Sequence, residues 1–312
     1  MTGWVRRGLR TGGIEASVAS IDRPAEGNRK ETAIVSVSNG RTVVVQRADD
    51  PVALRTETRL ARAVEERTTV PVPTVIGYES IDGDGYRVVE RVRGQNLHGR
   101  FHAADDRRGL ARTFGQALAQ LHDAFAFDRF GSVVADGSTR ADGSLSARGP
   151  AVWDAWIDDY ARRWIAALPE PLADLDDPLR RAVRDEESRD APPTPRLFPW
   201  DLRPGNALVR GGEIVAVADW GEPLAATAGL GLAKLDHLVA DWYVEDGSDL
   251  RRAVREGYRT VREPPRVTRR ERIAAVAEAV VDSDGVVTRP GYPERTGADA
   301  IAFHRDRLTA LL

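Results

Sequence analysis

Three oxygen-bearing side chains stand close together in one stretch of the sequence: Asp201, Asn206 and Asp219. Ala207 to Arg210 and Glu213 to Ala218 read as strands, and Gly211-Gly212 between them suits a two-residue turn with positive φ at both positions. That turn opposes Arg210 to Glu213, Val209 to Ile214 and Asn206 to Val217. Side chains alternate along a strand, so Asp219 shares a face with Val217 and with Asn206. As diagonal neighbours, their Cβ atoms lie roughly 7 Å apart or less. A carboxylate and an amide oxygen at that separation can share a hard cation such as Mg²⁺. Asp201, in the loop entering the hairpin, leans over the same place. Asp, Asn and Gly are also ordinary turn formers; the shared face is what argues for chemistry.

The wording of the stretch carries a resemblance. Asp201-Leu-Arg-Pro-Gly-Asn206 resembles a kinase catalytic loop, and Asp219-Trp220-Gly221 resembles the metal-binding Asp-Phe-Gly segment. With the short hairpin between them, they are similar to the aminoglycoside phosphotransferase family, whose relatives include choline, homoserine and fructosamine kinases. Weaker matches follow in order: Val70-Pro-Val-Pro73 ahead of a small-lobe strand, Glu90-Arg-Val-Arg-Gly94 as the hinge, Leu121-His122, and Phe130-Gly131. The resemblance covers about residues 30–245 and implies an α+β, bilobal protein-kinase-like fold. Residues 1–93 would form a strand-rich nucleotide-binding lobe, and residues 94–312 a larger, mostly helical catalytic and substrate-binding lobe. The implied activity is transfer of the γ-phosphoryl group of ATP or GTP to a hydroxyl of a small molecule. Asp201 would be the catalytic base or hydroxyl-orienting group, Asn206 and Asp219 the Mg²⁺ ligands, and Glu57 the partner of a strand lysine. Glu90 would lie at the nucleotide hinge.

Two positions depart from that pattern. Pro199, followed by Trp200, stands where the family has a histidine. The lysine expected after Val43-Val-Val45 is replaced by Gln46. Arg47 comes next but points to the other face of the strand. Lys30, at the end of Glu26-Gly-Asn-Arg-Lys30, is a further cation for the phosphates, and that segment is the one candidate for a glycine loop. Asn39-Gly40 as a two-residue turn opposes Ser38 to Arg41 and Ala33 to Gln46, and puts Gln46 with Val44 on the cleft face. Without the strand lysine, the alternative is a pseudokinase-like nucleotide- or ligand-binding protein with little turnover.

The rest of the chain must position these groups. Ala33 to Ser38, Arg41 to Val45 and Tyr86 to Glu90 read as strands, and Val52 to Val64 as a helix. Leu110 to Phe125 and Ala151 to Leu168 read as helices, residues 131–150 as a loop, and Asp185 to Pro195 as a linker. The stripe Trp153, Trp156, Tyr160, Trp164 reads as the buried face of its helix; the alternative is a cation–π seat for a cationic acceptor. The acidic run Asp174 to Asp177 would favour an amine-bearing acceptor over an anionic one. The chain has 312 residues, 30% charged, with net charge −3 and no cysteine. Those values exclude disulfides, thiolate metal sites and a basic surface for nucleic acid. Met1 to Thr11 is too polar for a signal peptide and no apolar run is membrane-spanning, so the expected location is cytoplasmic. Of the 45 basic residues only Lys30 and Lys234 are lysine.

Overall fold

The computed structural model describes residues 3–24, 30–136, 143–185, 192–289 and 291–312. Helix α1 (Gly3–Thr11) precedes β1 (Val18–Asp22), β2 (Glu31–Val37), β3 (Thr42–Ala48), helix α2 (Pro51–Arg67), β4 (Val75–Ile81) and β5 (Asp84–Glu90). The five strands form one antiparallel sheet in the order β1-β2-β3-β5-β4. Strand alternation puts Ala33, Val35, Val43, Val45 and Val88 on one face, where they form a core with Val5 and Leu9 of α1. The opposite face meets α2. That helix starts where Asp50 caps it, its carboxylate accepting from the backbone N–H of Val52 and Ala53 at 2.9 Å, with Pro51 preset at the first position. It buries Leu54, Glu57, Leu60, Ala61 and Val64 at helical spacing. Among them Glu57 is a charged residue in an apolar stripe.

Two turns of similar wording fold differently. Asp82 and Gly83 both take positive φ (53° and 89°), giving the two-residue turn between β4 and β5. Asn39-Gly40 does not. Only Gly40 is left-handed, at φ 84°, and Val37 N–H donates to Arg41 O across a three-residue loop. The Asn39 side chain accepts from Arg41 N–H instead of turning its own backbone over. The register therefore differs by one residue from the expectation: Ala33 pairs with Val45, and Gln46 pairs with Thr32. Gln46 still shares its face with Val44, since alternation along the strand is untouched.

The remainder is mostly helical: α3 (Arg107–Ala124), α4 (Trp153–Ala166), α5 (Asp176–Arg184), α6 (Ala228–Leu235), α7 (Ser248–Arg259), α8 (Arg269–Glu278) and α9 (Ala298–Thr309). Short strands lie between: β6 (Gln95–Asn96), β7 (Gly131–Ala135), β8 (Leu145–Arg148), β9 (Arg196–Phe198), β10 (Ala207–Arg210), β11 (Glu213–Val217) and β12 (Leu224–Ala226). The expected loop at 131–150 thus holds a strand pair. Its strands are recruited by tertiary pairing, β7 to β12 and the Ala135 N–H to the Thr56 hydroxyl of α2 at 3.1 Å. Residues 137–142 of that loop, most of the Asp185 to Pro195 linker, and Glu26 to Arg29 of the glycine-loop candidate lie outside the described residues. The tryptophan stripe is core: Trp153 and Trp156 stack at 5.4 Å, Trp156 and Tyr160 at 4.7 Å, and the row packs with Ile273 and Ala277 of α8. No helix of the described residues is long and apolar enough to cross a membrane.

Helices α3 and α7 pack at backbone contact, which glycine alone permits. A Cβ on Gly115 would collide with the Val254 carbonyl, and one on Gly257 with the Arg112 carbonyl. Neither carbonyl can swing aside as a side-chain tip would. Gly115→Ala and Gly257→Ala are each expected to destabilise the protein by about 1–3 kcal/mol or more, since overpacked cores must shift backbone. Urea unfolding of each variant, compared by midpoint at constant slope, measures this.

Candidate active site

The hairpin of β10 and β11 turns at Gly211-Gly212, φ 61° and 85°, and opposes Arg210 to Glu213 and Val209 to Ile214 as its turn chemistry dictates. Beyond that point a bulge intervenes. Leu208 pairs with Ala216 and Ala207 with Val217, so Val215 is the extra residue, and the Ala218 N–H donates to Asn206 O at 2.8 Å. Asn206 therefore faces Ala218 and not Val217, and simple alternation no longer puts Asp219 on its face. Asp219 instead adopts the left-handed conformation, φ 60°, which an aspartate tolerates better than most residues. A one-residue parity change and a left-handed residue follow each other here.

The Asp219 side chain, 53% exposed, is met by a cation. Lys30 Nζ lies 3.1 Å from Asp219 Oδ1 and 2.9 and 2.8 Å from the two oxygens of Glu57. Lys30 directly precedes β2, Glu57 is on α2, and Asp219 follows β11, so three distant segments meet on one ammonium. A Cβ on Gly221 would stand 3.6 Å from Asp219 Oδ1 and 3.9 Å from Glu57 Oε2, which marks the same convergence. Glu57 has a second cation: Arg87 of β5 donates to its Oε1 at 2.8 Å. Arg87 is itself aimed by Gln46, whose amide oxygen accepts from Arg87 Nε at 2.9 Å and Nη2 at 2.5 Å. Gln46 and Arg87 are direct partners across β3 and β5. Burial would push the Glu57 carboxyl up, but the charges and hydrogen bonds of Arg87 and Lys30 outweigh it and hold the group at about 2.

Two other expected nucleotide-side residues, Arg47 and Glu90, pair with charged side chains. Arg47 points to the opposite face and is held by Asp84 at 2.9 Å and Glu31 at 2.6 Å. Glu90, at the end of β5, pairs with Arg41 at 3.0 Å.

The Asp201 loop is built as a second cluster. Arg203 Nε donates to both Asp201 oxygens, at 2.8 and 2.9 Å. Asn206 Nδ2 donates to the Asp201 carboxylate and to its backbone carbonyl, both at 2.9 Å. That commits the amide nitrogen of Asn206 and leaves its carbonyl oxygen as the group able to ligate a cation. Behind the loop, Arg203 lies 5.8 Å from the Trp242 ring, and Tyr243 beside it meets His98 Nδ1 at 2.9 Å. Burial works against the Arg203 charge; Asp201 and Tyr243 more than restore it, so its pKa is raised. A π-helical turn, Asp236–Asp241, continues α6 and delivers Trp242 and Tyr243 to this position. From the other side, Asn96 Nδ2 of β6 donates to Gly205 O at 2.8 Å.

Arg87, Arg203 and Lys234 were not singled out in the sequence as site residues. Arg87 had a weak signal, a lone basic residue inside the strand Tyr86 to Val89. Lys234 had one too, as one of the chain's two lysines, set in the apolar run Ala228–Leu235.

Comparison with known proteins agrees with this architecture. Solved structures that match it are kinase-like phosphotransferases. The aminoglycoside phosphotransferase APH(4)-Ia aligns at a TM-score of 0.66 and 15% identity, over 98% of this chain and 96% of that one. A thermostable mutant of the same enzyme, in ternary complex with AMP-PNP and hygromycin B, aligns at 0.65 and 16%, over 99% and 98%. A candidate fructosamine-3-kinase from Thermobifida fusca aligns at 0.59 and 18%, over 99% and 98%. The fold is thus α+β and protein-kinase-like, with an antiparallel strand-rich N-terminal part and a helical remainder. No curated protein matches by sequence. The model of the phosphotransferase enzyme family (APH) matches residues 20–272, and the chain belongs to that family.

The Glu57 carboxyl lies below its ordinary value of 4.5, so the stability it contributes is present above pH 4.5 and lost as pH falls toward 2. A shift of that size corresponds to about 3 kcal/mol. Unfolding free energy measured from pH 6 down to pH 2.5 is expected to fall less steeply in Glu57→Gln than in the wild type. The same slope in both proteins would contradict the double pairing.

Proposed function

We propose that the protein transfers the γ-phosphoryl group of ATP or GTP to a hydroxyl of a small molecule, with residues 1–93 as the nucleotide lobe and 94–312 as the catalytic and acceptor lobe. The observation that carries this reading is the Lys30 ammonium set between Glu57 and Asp219. A phosphoryl-transfer site needs a fixed cation for the nucleotide phosphates beside the carboxylate that binds the metal. Here the cation missing from β3 is supplied from the residue before β2, and Arg87 reinforces it. The main argument for a non-catalytic binder was the missing cation, and that argument loses its force.

The residues fit a magnesium nucleotide. Among the described residues no cluster of three His, Cys, Asp or Glu side chains could hold a metal by itself. Mg²⁺ commonly takes one or two protein oxygens and completes its shell with phosphates and water. Asp219 and the Asn206 carbonyl oxygen would hold it, and once bound it would neutralise charge on the transferring phosphate. Lys30 then serves the phosphates, Glu57 and Arg87 hold Lys30 in place, and Gln46 holds Arg87. Asp201, pinned by Arg203 and Asn206, is oriented to accept a hydrogen bond from the acceptor hydroxyl and align its oxygen for in-line attack. A carboxylate already paired with a guanidinium orients better than it abstracts, so alignment is its larger share. The acceptor is a small molecule, by analogy with the ternary complex of the thermostable APH(4)-Ia mutant with hygromycin B.

Nucleotide binding and turnover test this separately. Lys30→Met is expected to weaken Mg²⁺-nucleotide binding by roughly tenfold or more, given about 1.5–3 kcal/mol for a charged hydrogen bond. Asp219→Asn is expected to remove the Mg²⁺-dependent part of the nucleotide-induced rise in Tm. Asp201→Asn is expected to keep that rise and lose roughly 10²–10⁴-fold in transfer. A full Mg²⁺-dependent shift in Asp219→Asn, or undiminished transfer in Asp201→Asn, would overturn the assignment.

A further inference from the structure

In a chain whose 45 basic residues include two lysines, both lysines lie at the phosphoryl-transfer site. Lys30 is in front, on Asp219. Lys234 is behind, under the loop that carries Asp201. We propose that Lys234 is a positioning residue for the reaction: paired with Glu278, it shares a small cavity with Pro199 and Leu202 and holds the Asp201 loop in its working conformation. The proposal rests on the phosphotransferase reading.

Lys234 is 5% exposed and projects from α6 into a small cavity of about 10 Å³. The other walls are Phe198, Pro199 and Leu202 from the loop, Leu118 of α3, and Gly231 and Leu235 of α6. An ammonium among apolar walls carries a desolvation cost of several kcal/mol. A purely structural role would be met as well by an apolar side chain of the same length. Its partner is Glu278, at the C-terminal end of α8.

The charged groups around it belong to the site. Asp201 and Arg203 of the loop act on Lys234 directly, Asp201 favouring its charge and Arg203 opposing it. His237 of the π-helical turn and His304 of α9 feel its charge from the other side, and burial keeps both of them below their ordinary value. His122 of α3 stands beside Gly231 and is likewise held neutral by burial. Burial pushes the Lys234 ammonium below its ordinary value, more than Asp201 can offset. Its charge is therefore lost at a lower pH than an ordinary lysine's, and the hold on the loop is lost with it.

The double variant Lys234→Met/Glu278→Leu removes both charges at similar volume, so that no buried carboxylate is stranded. It is compared with the wild type in steady-state hydrolysis of Mg-ATP, with water as acceptor, across pH 6 to 9. The backbone hydrogen exchange of residues 199–206 is followed in parallel. The expected result is a kcat lower by roughly 10- to 100-fold, as for a catalytic group displaced by about an ångström. KM for nucleotide should stay within about twofold, the alkaline decline in wild-type turnover should be absent from the variant, and exchange in the loop should be faster. Unchanged kcat and pH profile, with only Tm moved, would overturn the proposal and leave the pair structural. A wild type that neither binds nor hydrolyses Mg-ATP or Mg-GTP would sink the phosphotransferase reading. Loop exchange then decides the positioning role by itself, and unchanged exchange overturns it.

Discussion

A carboxylate taken out of water must be neutralised or met by cations, and Glu57, 3% exposed, is met by two. Its charge is what draws Lys30 inward from the start of β2 and Arg87 across from β5. Losing either cation would leave the other to balance a buried anion alone, the costly case for ion pairs in an apolar setting. Gln46 belongs to the same arrangement. Its amide oxygen accepts from Nε and Nη2 of Arg87, and the same Nη2 donates to Glu57, so the amide and the carboxylate together fix the guanidinium. One helix residue thus fixes the position of two cations and, through Lys30, the approach of Asp219.

The second cluster uses the same chemistry at the other side of the site. Asp201 accepts from Arg203 and Asn206, Arg203 rests near Trp242, and Tyr243 ties to His98. The loop is therefore held by side chains from β6, from the hairpin and from the turn after α6. A π-helical turn widens the helix by one residue per turn, which carries Trp242 and Tyr243 round to the loop where a regular α-helix would carry them past it. The same continuous segment carries Lys234 beneath the loop and the two aromatic residues beside it.

Sequence reasoning reached the fold class because its signals are written locally. The Asp201 to Asp219 wording is contiguous, and α2, α3 and α4 announce themselves by apolar spacing within their own length. What it missed depends on tertiary contact. Arg87 gains meaning only because β3 and β5 are neighbours, and sequence order puts α2 and β4 between them. Val215 bulges where nothing in Ile214-Val-Ala-Val217 distinguishes it from a regular strand residue. Asn39-Gly40 and Asp82-Gly83 carry the same turn signal and close loops of three and two residues, because the Asn39 amide finds the Arg41 N–H and the register slips with it.

The bulge at Val215 has a bearing on which length changes the gene could accept. Adding residues to the Gly211-Gly212 tip lengthens a solvent-facing loop and leaves the pairing of Ala207 with Val217 where it is. Deleting a single codon at Val215 would restore regular alternation, carry Asp219 one position nearer the turn, and separate it from Lys30. Two edits of equal size, a few residues apart on one strand, thus have opposite tolerances. The hairpin tip is expected to accept changes of length, whereas the segment from Ile214 to Asp219 is expected to require its present count of residues.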